Sequence, residues 1–64
     1  MSDSKERIKA LKKLGSFFRN ISEKNPLYDS FFKAIELAGH QNSWFKKELN
    51  LVLRLILEKL NLKL

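Results

Sequence analysis

Apolar residues recur along this chain at the three- and four-residue spacing of helices, in three runs separated by short polar segments. The runs predict helices over residues 4–21, 26–38 and 44–62. Connections of about four residues favour antiparallel packing of successive helices. The expected fold class is therefore all-α: a single small three-helix bundle with sequential antiparallel helices and a Leu-rich third helix.

The first run separates apolar from basic side chains. Asp3 and Glu6 form a capping-box-like start. Gly15 lies inside this helix, where it either permits close approach of a neighbour or weakens the helix by about 1 kcal/mol. The side expected to face the core carries Ala10, Leu11, Leu14, Phe17, Phe18 and Ile21. The opposite side, called here the basic face, carries Lys5, Lys9, Lys12, Lys13 and Arg19.

The second run has clear start and stop signals. Asn25 is the expected N-cap, and Pro26 suits the first helical position. Gly39 is the expected left-handed stop, and Asn42 or Ser43 is expected to cap the third helix. The residues expected to face inward are Leu27, Tyr28, Phe31, Phe32, Ala34, Ile35 and Ala38.

The third run holds more apolar residues than one buried face uses. Twelve of the 21 residues from position 44 to 64 are apolar, whereas a bundle helix needs roughly three in seven. At about 100° per residue they divide into two arcs. The broad arc, expected to face the core, comprises Phe45, Leu49, Val52, Leu53, Ile56, Leu57, Leu60 and Leu64. A separate second stripe comprises Trp44, Leu51, Leu55 and Leu62.

Polar residues separate the two arcs. A ridge on one side consists of Lys47, Asn50, Arg54, Glu58 and Asn61, and Glu48 and Lys59 lie on the other side. Two interpretations of the second stripe stay open. An uneven bundle could bury both apolar sides of a central helix, or the stripe could be a docking surface of several hundred Å².

The formal net charge is +6, concentrated toward the two ends of the chain. This balance permits contact with nucleic acid or with an anionic membrane. The basic face could contact phosphates, but the aromatic residues of the first helix lie on its other side. The third helix also lacks the polar residues of a typical base-reading helix. The pattern therefore favours a solvated face over a nucleic-acid interface.

The sequence offers no constellation for catalysis. Cysteine is absent and His40, the only histidine, lies in a loop without an acidic neighbour in sequence. No catalytic residue, cofactor-binding residue or metal ligand is therefore assigned, no cofactor is expected, and the chain alone is not expected to be an enzyme. With neither a signal-peptide pattern nor a membrane-spanning run, a cytoplasmic location is expected.

Three short motifs carry a family resemblance. They are Lys13-Leu14-Gly15, then Phe32-Lys33-Ala34-Ile35 with Ala38, and Gln41-Asn42-Ser43-Trp44-Phe45 followed by the Leu-rich run. Together they resemble the N-terminal helical segment of acyl-CoA reductases common in Bacteroidetes, relatives of the bioluminescence fatty-acid reductase.

The resemblance implies a helical segment that precedes catalytic domains. The full-length enzymes bind a nicotinamide cofactor and carry the acyl group on a cysteine thiol, and this chain has no position that matches either feature. Lys46-Lys47-Glu48 also replaces the acidic, Thr-containing helix start that is usual after Trp-Phe in the family.

The pattern as a whole predicts a non-catalytic interaction or oligomerisation module. Its partner would be a second copy or another protein, bound through the third helix. One alternative is a cationic membrane-active protein, similar to the leaderless helical bacteriocins in length, charge and lack of cysteine. The other alternative is a nonspecific nucleic-acid binder that uses the basic face.

Overall fold

The computed structural model describes residues 3–63, and of residue 3 only the backbone. It contains three helices: α1 (Asp3–Asn20), α2 (Tyr28–Ala38) and α3 (Ser43–Lys59). The predicted all-α three-helix bundle is therefore confirmed. The expected Asp3 cap and the core position of Leu64 lie outside the described side chains.

The third helix is central, because it packs against both of the others. Near its start, Ser43 and Ser4 line the same surface depression, and beyond its end Leu60 and Ile21 line the same cavity. Hence α1 and α3 run in the same direction, and α2, which lies between them in sequence, runs in the opposite direction. The first two helices meet through an edge-to-face aromatic pair, in which the ring centroids of Phe18 and Phe31 are 4.8 Å apart.

A single apolar core joins the three helices. Its largest fully buried side chains are those of Phe31, Leu14, Leu49, Leu53 and Ile56. Around it, partly buried apolar side chains pack as a second layer. From the broad arc of α3, Leu49, Leu53, Ile56 and Leu57 are buried, and Phe45, Val52 and Leu60 are partly buried.

The outer flank of α2 differs from the expectation. Phe32 is 58% exposed and Ile35 is 53% exposed, although both were expected to face inward. The buried residues are instead Phe31, Ala34 and Leu37, a narrow stripe at three-residue spacing. The reason is geometric. The apolar arc of α2 is wider than the side of α2 that α3 covers, so part of this arc stays exposed to solvent.

The start of α2 differs from the prediction: the N-cap residue is Leu27, without a side-chain cap, and Asn25 lies in the preceding turn. The Asn25 side chain accepts a hydrogen bond from the backbone N–H of Leu27 at 2.8 Å. The Asn25 carbonyl accepts one from Tyr28, which closes a turn. Regular α-helix begins only at Tyr28, two residues later than predicted. Asn42 is the residue that caps α3, by accepting from the backbone N–H of Trp44 at 2.8 Å.

The left-handed residue is Asn61, after α3, and Gly39 is not left-handed. Gly39 has a φ of −77°, whereas Asn61 has a φ of 60°. Backbone N–H groups of Asn61 and Leu62 donate to the carbonyls of Glu58 and Leu57, respectively. This is the Schellman pattern, which ends the helix and turns the following apolar residue back onto it. Asparagine tolerates the left-handed region better than most residues, which suits position 61.

The contact between α1 and α3 contains polar side chains. Arg54 forms a salt bridge with Glu6. Asn50, expected on an exposed polar ridge, is instead only 9% exposed. Its position lies about 60° from Leu53 around the helix, on the side that α1 covers. Packing of α1 against this side therefore buries a residue that the pattern of α3 alone assigned to solvent.

Candidate interaction surface on the third helix

Three members of the second stripe are exposed. Trp44 is 60% exposed, Leu51 59% and Leu55 44%. At about 100° per residue they lie opposite Leu53, which is at the centre of the buried side. The interpretation in which the bundle buries both apolar sides of α3 is therefore wrong. From here on, "α3 stripe" denotes Trp44, Leu51 and Leu55.

Leu62, the fourth residue of the predicted stripe, lies elsewhere. It follows the end of α3, is partly buried and packs against the core. The turn at Asn61 explains this placement, because the chain no longer follows the helical spacing from which the stripe was extrapolated. The structure therefore brings three of the four predicted residues to one surface.

Charged residues border the α3 stripe on both sides. Helical spacing places Lys47 and Glu58 along one edge, and Glu48 and Lys59 along the other. Arg54 lies beside Lys47 on the first edge, where its charge is paired with Glu6 of α1. Apart from this paired arginine, each edge carries one positive and one negative residue, and the border of the surface is close to balanced.

Trp44 is held at the start of the stripe by local aromatic contacts. Its ring is edge-to-face with that of Phe45, with centroids 5.1 Å apart. The other neighbour of Phe45 is His40, whose ring stacks on it at 4.1 Å. The expectation that His40 is a loop residue agrees with its position between α2 and α3. Its visible contact is packing against an aromatic ring.

Further exposed apolar side chains lie on the other helices. On α2, Phe32 and Ile35 are exposed, and Tyr28 stacks on Phe32 with centroids 6.4 Å apart. On α1, Ile8 and Phe17 are exposed. The exposure of Phe17, Phe32 and Ile35 is not predictable from the sequence, because an amphipathic pattern alone does not reveal how much of a helix's apolar side a neighbour covers.

The basic face lies on solvent. All five of its residues are exposed, on the side of α1 that faces away from the core. The exposed Phe17 belongs to the apolar side of the same helix and is not interleaved with them. The structure therefore adds no stacking platform to this group of cations, and nucleic-acid binding stays a prediction from charge alone.

Metal binding and acid–base chemistry require clustered ionisable side chains. Within residues 3–63, no group of three or more His, Cys, Asp or Glu side chains is placed to hold a metal ion. A cavity of about 470 Å³ opens between the end of α1 and the start of α2, near Phe17, Leu27 and Leu60. Its lining consists of apolar, Ser and Asn residues without an ionisable side chain. This cavity offers space but no acid or base.

No protein-family model, curated protein or solved structure matches this chain. The resemblance to the acyl-CoA reductase segment therefore stays a prediction that rests on three short motifs. Among the described helices, none is both long enough and apolar enough to cross a membrane.

Proposed function

We propose that this chain is a non-catalytic helical interaction module that self-associates through the α3 stripe. The observation that supports it is the exposure of Trp44, Leu51 and Leu55 along one line, opposite the core. Tryptophan is enriched among interface hot spots, and contiguous exposed apolar side chains mark interaction surfaces. The proposal places the module in the cytoplasm, with which a cysteine-free chain is compatible.

The border charges favour a second copy of the chain as the partner. In an antiparallel two-fold pair of α3 helices, Lys47 of one copy faces Glu58 of the second copy, and Glu48 faces Lys59. In a parallel pair, Lys47 faces Glu48 and Glu58 faces Lys59. Both arrangements set opposite charges against each other, and an isologous interface needs such self-complementarity. An anionic membrane, in contrast, would repel the two glutamates.

The size of the stripe sets the expected strength of association. From Trp44 to Leu55 it is about 17 Å long at 1.5 Å per residue, and its three side chains present roughly 300 Å² per copy. Stable interfaces bury about 1,200–2,000 Å² in total. We therefore expect a weak dimer, with a dissociation constant of tens to hundreds of micromolar or about −5 to −6 kcal/mol.

The family resemblance fits this proposal. A helical segment that precedes catalytic domains could present the same apolar surface to them or to another copy. In either case the α3 stripe would be the contact surface, and the chain itself would supply no catalytic group.

Light scattering across a concentration series from about 10 μM to 1 mM tests the proposal, since this range brackets the expected dissociation constant. The test variant is Leu51→Lys/Leu55→Lys. The matched control is Phe32→Lys/Ile35→Lys, which places two lysines on the similarly exposed flank of α2. Circular dichroism checks that each variant is helical, and Trp44 emission reports burial of the stripe.

The expected result is a wild-type dimer at high concentration, with Trp44 emission shifting to the blue as it forms. The α3 double variant should stay a folded monomer, while the α2 control should dimerise like the wild type. Loss of dimer in the control instead would place the interface on α2. A wild-type chain that remains monomeric at 1 mM would overturn self-association.

A membrane surface is the second candidate, favoured by a different observation. Exposed apolar side chains occur on all three helices, in a chain with a net charge of +6. Cationic helices with large apolar faces bind the interfacial region of anionic membranes. Dye leakage from anionic vesicles, with a blue shift of Trp44 emission, would support this function. Absence of both effects would exclude it.

A further inference from the structure

The end of the bundle at which α1 and α3 begin contains a basic depression. Its volume is about 220 Å³, and its lining consists of Ser4, Arg7, Ser43, Lys46, Lys47 and Asn50. Three of these side chains are cations and none is acidic. The two helices thus bring like charges together at one place, an arrangement that becomes favourable when an anion lies between them.

Local structure holds these groups in position. The guanidinium of Arg7 donates to the Ser4 hydroxyl oxygen at 3.3 Å. Arg7 and Lys46 are both partly buried, so solvent screens their charges less than those of the exposed basic face. Ser43 is the first residue of α3, after its Asn42 cap. The positive end of the helix dipole therefore adds to the three side-chain charges.

Asn50 forms a buried part of the wall of the depression. Its side chain lines this depression and is nine-tenths buried, and its amide oxygen has no hydrogen-bond partner. A partly open space of about 10 Å³ on the α1 side of Asn50 is at the lower limit for one water. Buried polar atoms without partners are rare in folded proteins. The amide oxygen itself is closed to solvent, so a ligand in the depression would meet the rest of the Asn50 side chain and not this atom.

We propose that the depression binds a phosphate group, free or as part of a phosphomonoester. The phosphate oxygens would accept from Arg7, Lys46 and the serine hydroxyls. The depression is open to solvent and holds more than one water, which leaves room for the group that carries the phosphate.

Titration with inorganic phosphate, followed by proton–nitrogen NMR at constant ionic strength, tests this site. The variants are Arg7→Gln and Lys46→Gln. Lys13→Gln is the matched control, since it removes one charge from the exposed basic face. We expect saturable shifts at Ser43, Lys46 and the Asn50 side-chain amide. Each site variant should bind about tenfold more weakly, and the control less than twofold more weakly.

A second set of measurements distinguishes a lipid phosphate from a free one. Vesicles of phosphatidylcholine with and without phosphatidic acid are compared in a sedimentation assay with the same three variants. Binding to phosphatidic acid that Arg7→Gln abolishes and Lys13→Gln preserves would assign the site to a lipid headgroup. Phosphate shifts without vesicle binding would assign it to a free phosphate ester.

The inference is overturned by either of two results. One is the absence of saturable shifts with phosphate together with no difference between the two vesicle types. The other is an equal loss of binding in Lys13→Gln and the site variants, which would reduce the effect to net charge. Circular dichroism of each variant separates loss of binding from loss of fold.

Discussion

Replacement of Gly15 by alanine should stabilise the fold. Gly15 lies inside α1 and is partly buried, and its φ is not positive. A Cβ atom built at this position has no neighbouring atom within 4 Å, apart from the helix's own nearby backbone. The close-approach explanation for this glycine is therefore excluded within the described chain. The remaining effect of Gly15 on stability is its low helix propensity.

The expected gain follows from these facts. Alanine is favoured over glycine in a helix interior by about 1 kcal/mol, partly because glycine has more freedom in the unfolded chain. No steric penalty offsets this gain at position 15. For a domain of this size, 1 kcal/mol corresponds to a rise in melting temperature of about 4–8 °C.

Thermal and urea unfolding, followed by circular dichroism at the helix band, measure the change. Ser16→Gly is a suitable control, because residue 16 is exposed on the same helix and the substitution should cost about 0.5 kcal/mol. An unchanged or lowered stability in Gly15→Ala, with the expected loss in Ser16→Gly, would refute the reasoning. It would mean that another surface approaches Gly15 in solution.

Three further substitutions probe the contacts around α3. Leu53→Ala should lower the free energy of unfolding by about 2–5 kcal/mol, because Leu53 is fully buried in a domain with a thin stability margin. Circular dichroism should then show a largely unfolded chain, and retention of the wild-type melting temperature would contradict this. Asn50→Leu should keep or raise the urea midpoint of unfolding, because it removes a buried hydrogen-bond acceptor that has no partner. A decrease of more than about 1 kcal/mol in the free energy of unfolding would instead indicate that solvent supplies a hydrogen bond to Asn50. Glu6→Gln should lower the free energy of unfolding by less than about 1 kcal/mol, since its partner Arg54 is more than half exposed. A loss of stability that persists in 1 M salt would show that Glu6 has a role beyond the ion pair.

Local signals gave most of the secondary structure. The Asn42 side chain forms the capping hydrogen bond that its position predicted, whereas Asn25 closes a turn before α2 and does not cap the helix. Gly39 and Asn61 show the limit of such signals. Both residue types can occupy a left-handed stop, and it is Asn61 that does so. That choice places Leu62 on the core, which the helical spacing of α3 could not indicate.

The pattern of apolar residues in the sequence determined the number of helices, their order and the buried side of α3. It also identified the surplus at Trp44, Leu51 and Leu55, because the period of a helix is fixed by its backbone geometry. Only the tertiary structure decided how much of each apolar side a neighbour covers. A sequence pattern records which side of a helix is apolar, whereas burial depends on the width of the helix that packs against it. For this reason Phe32 lies in solvent, Asn50 is buried, and three cations from two helices meet beside it.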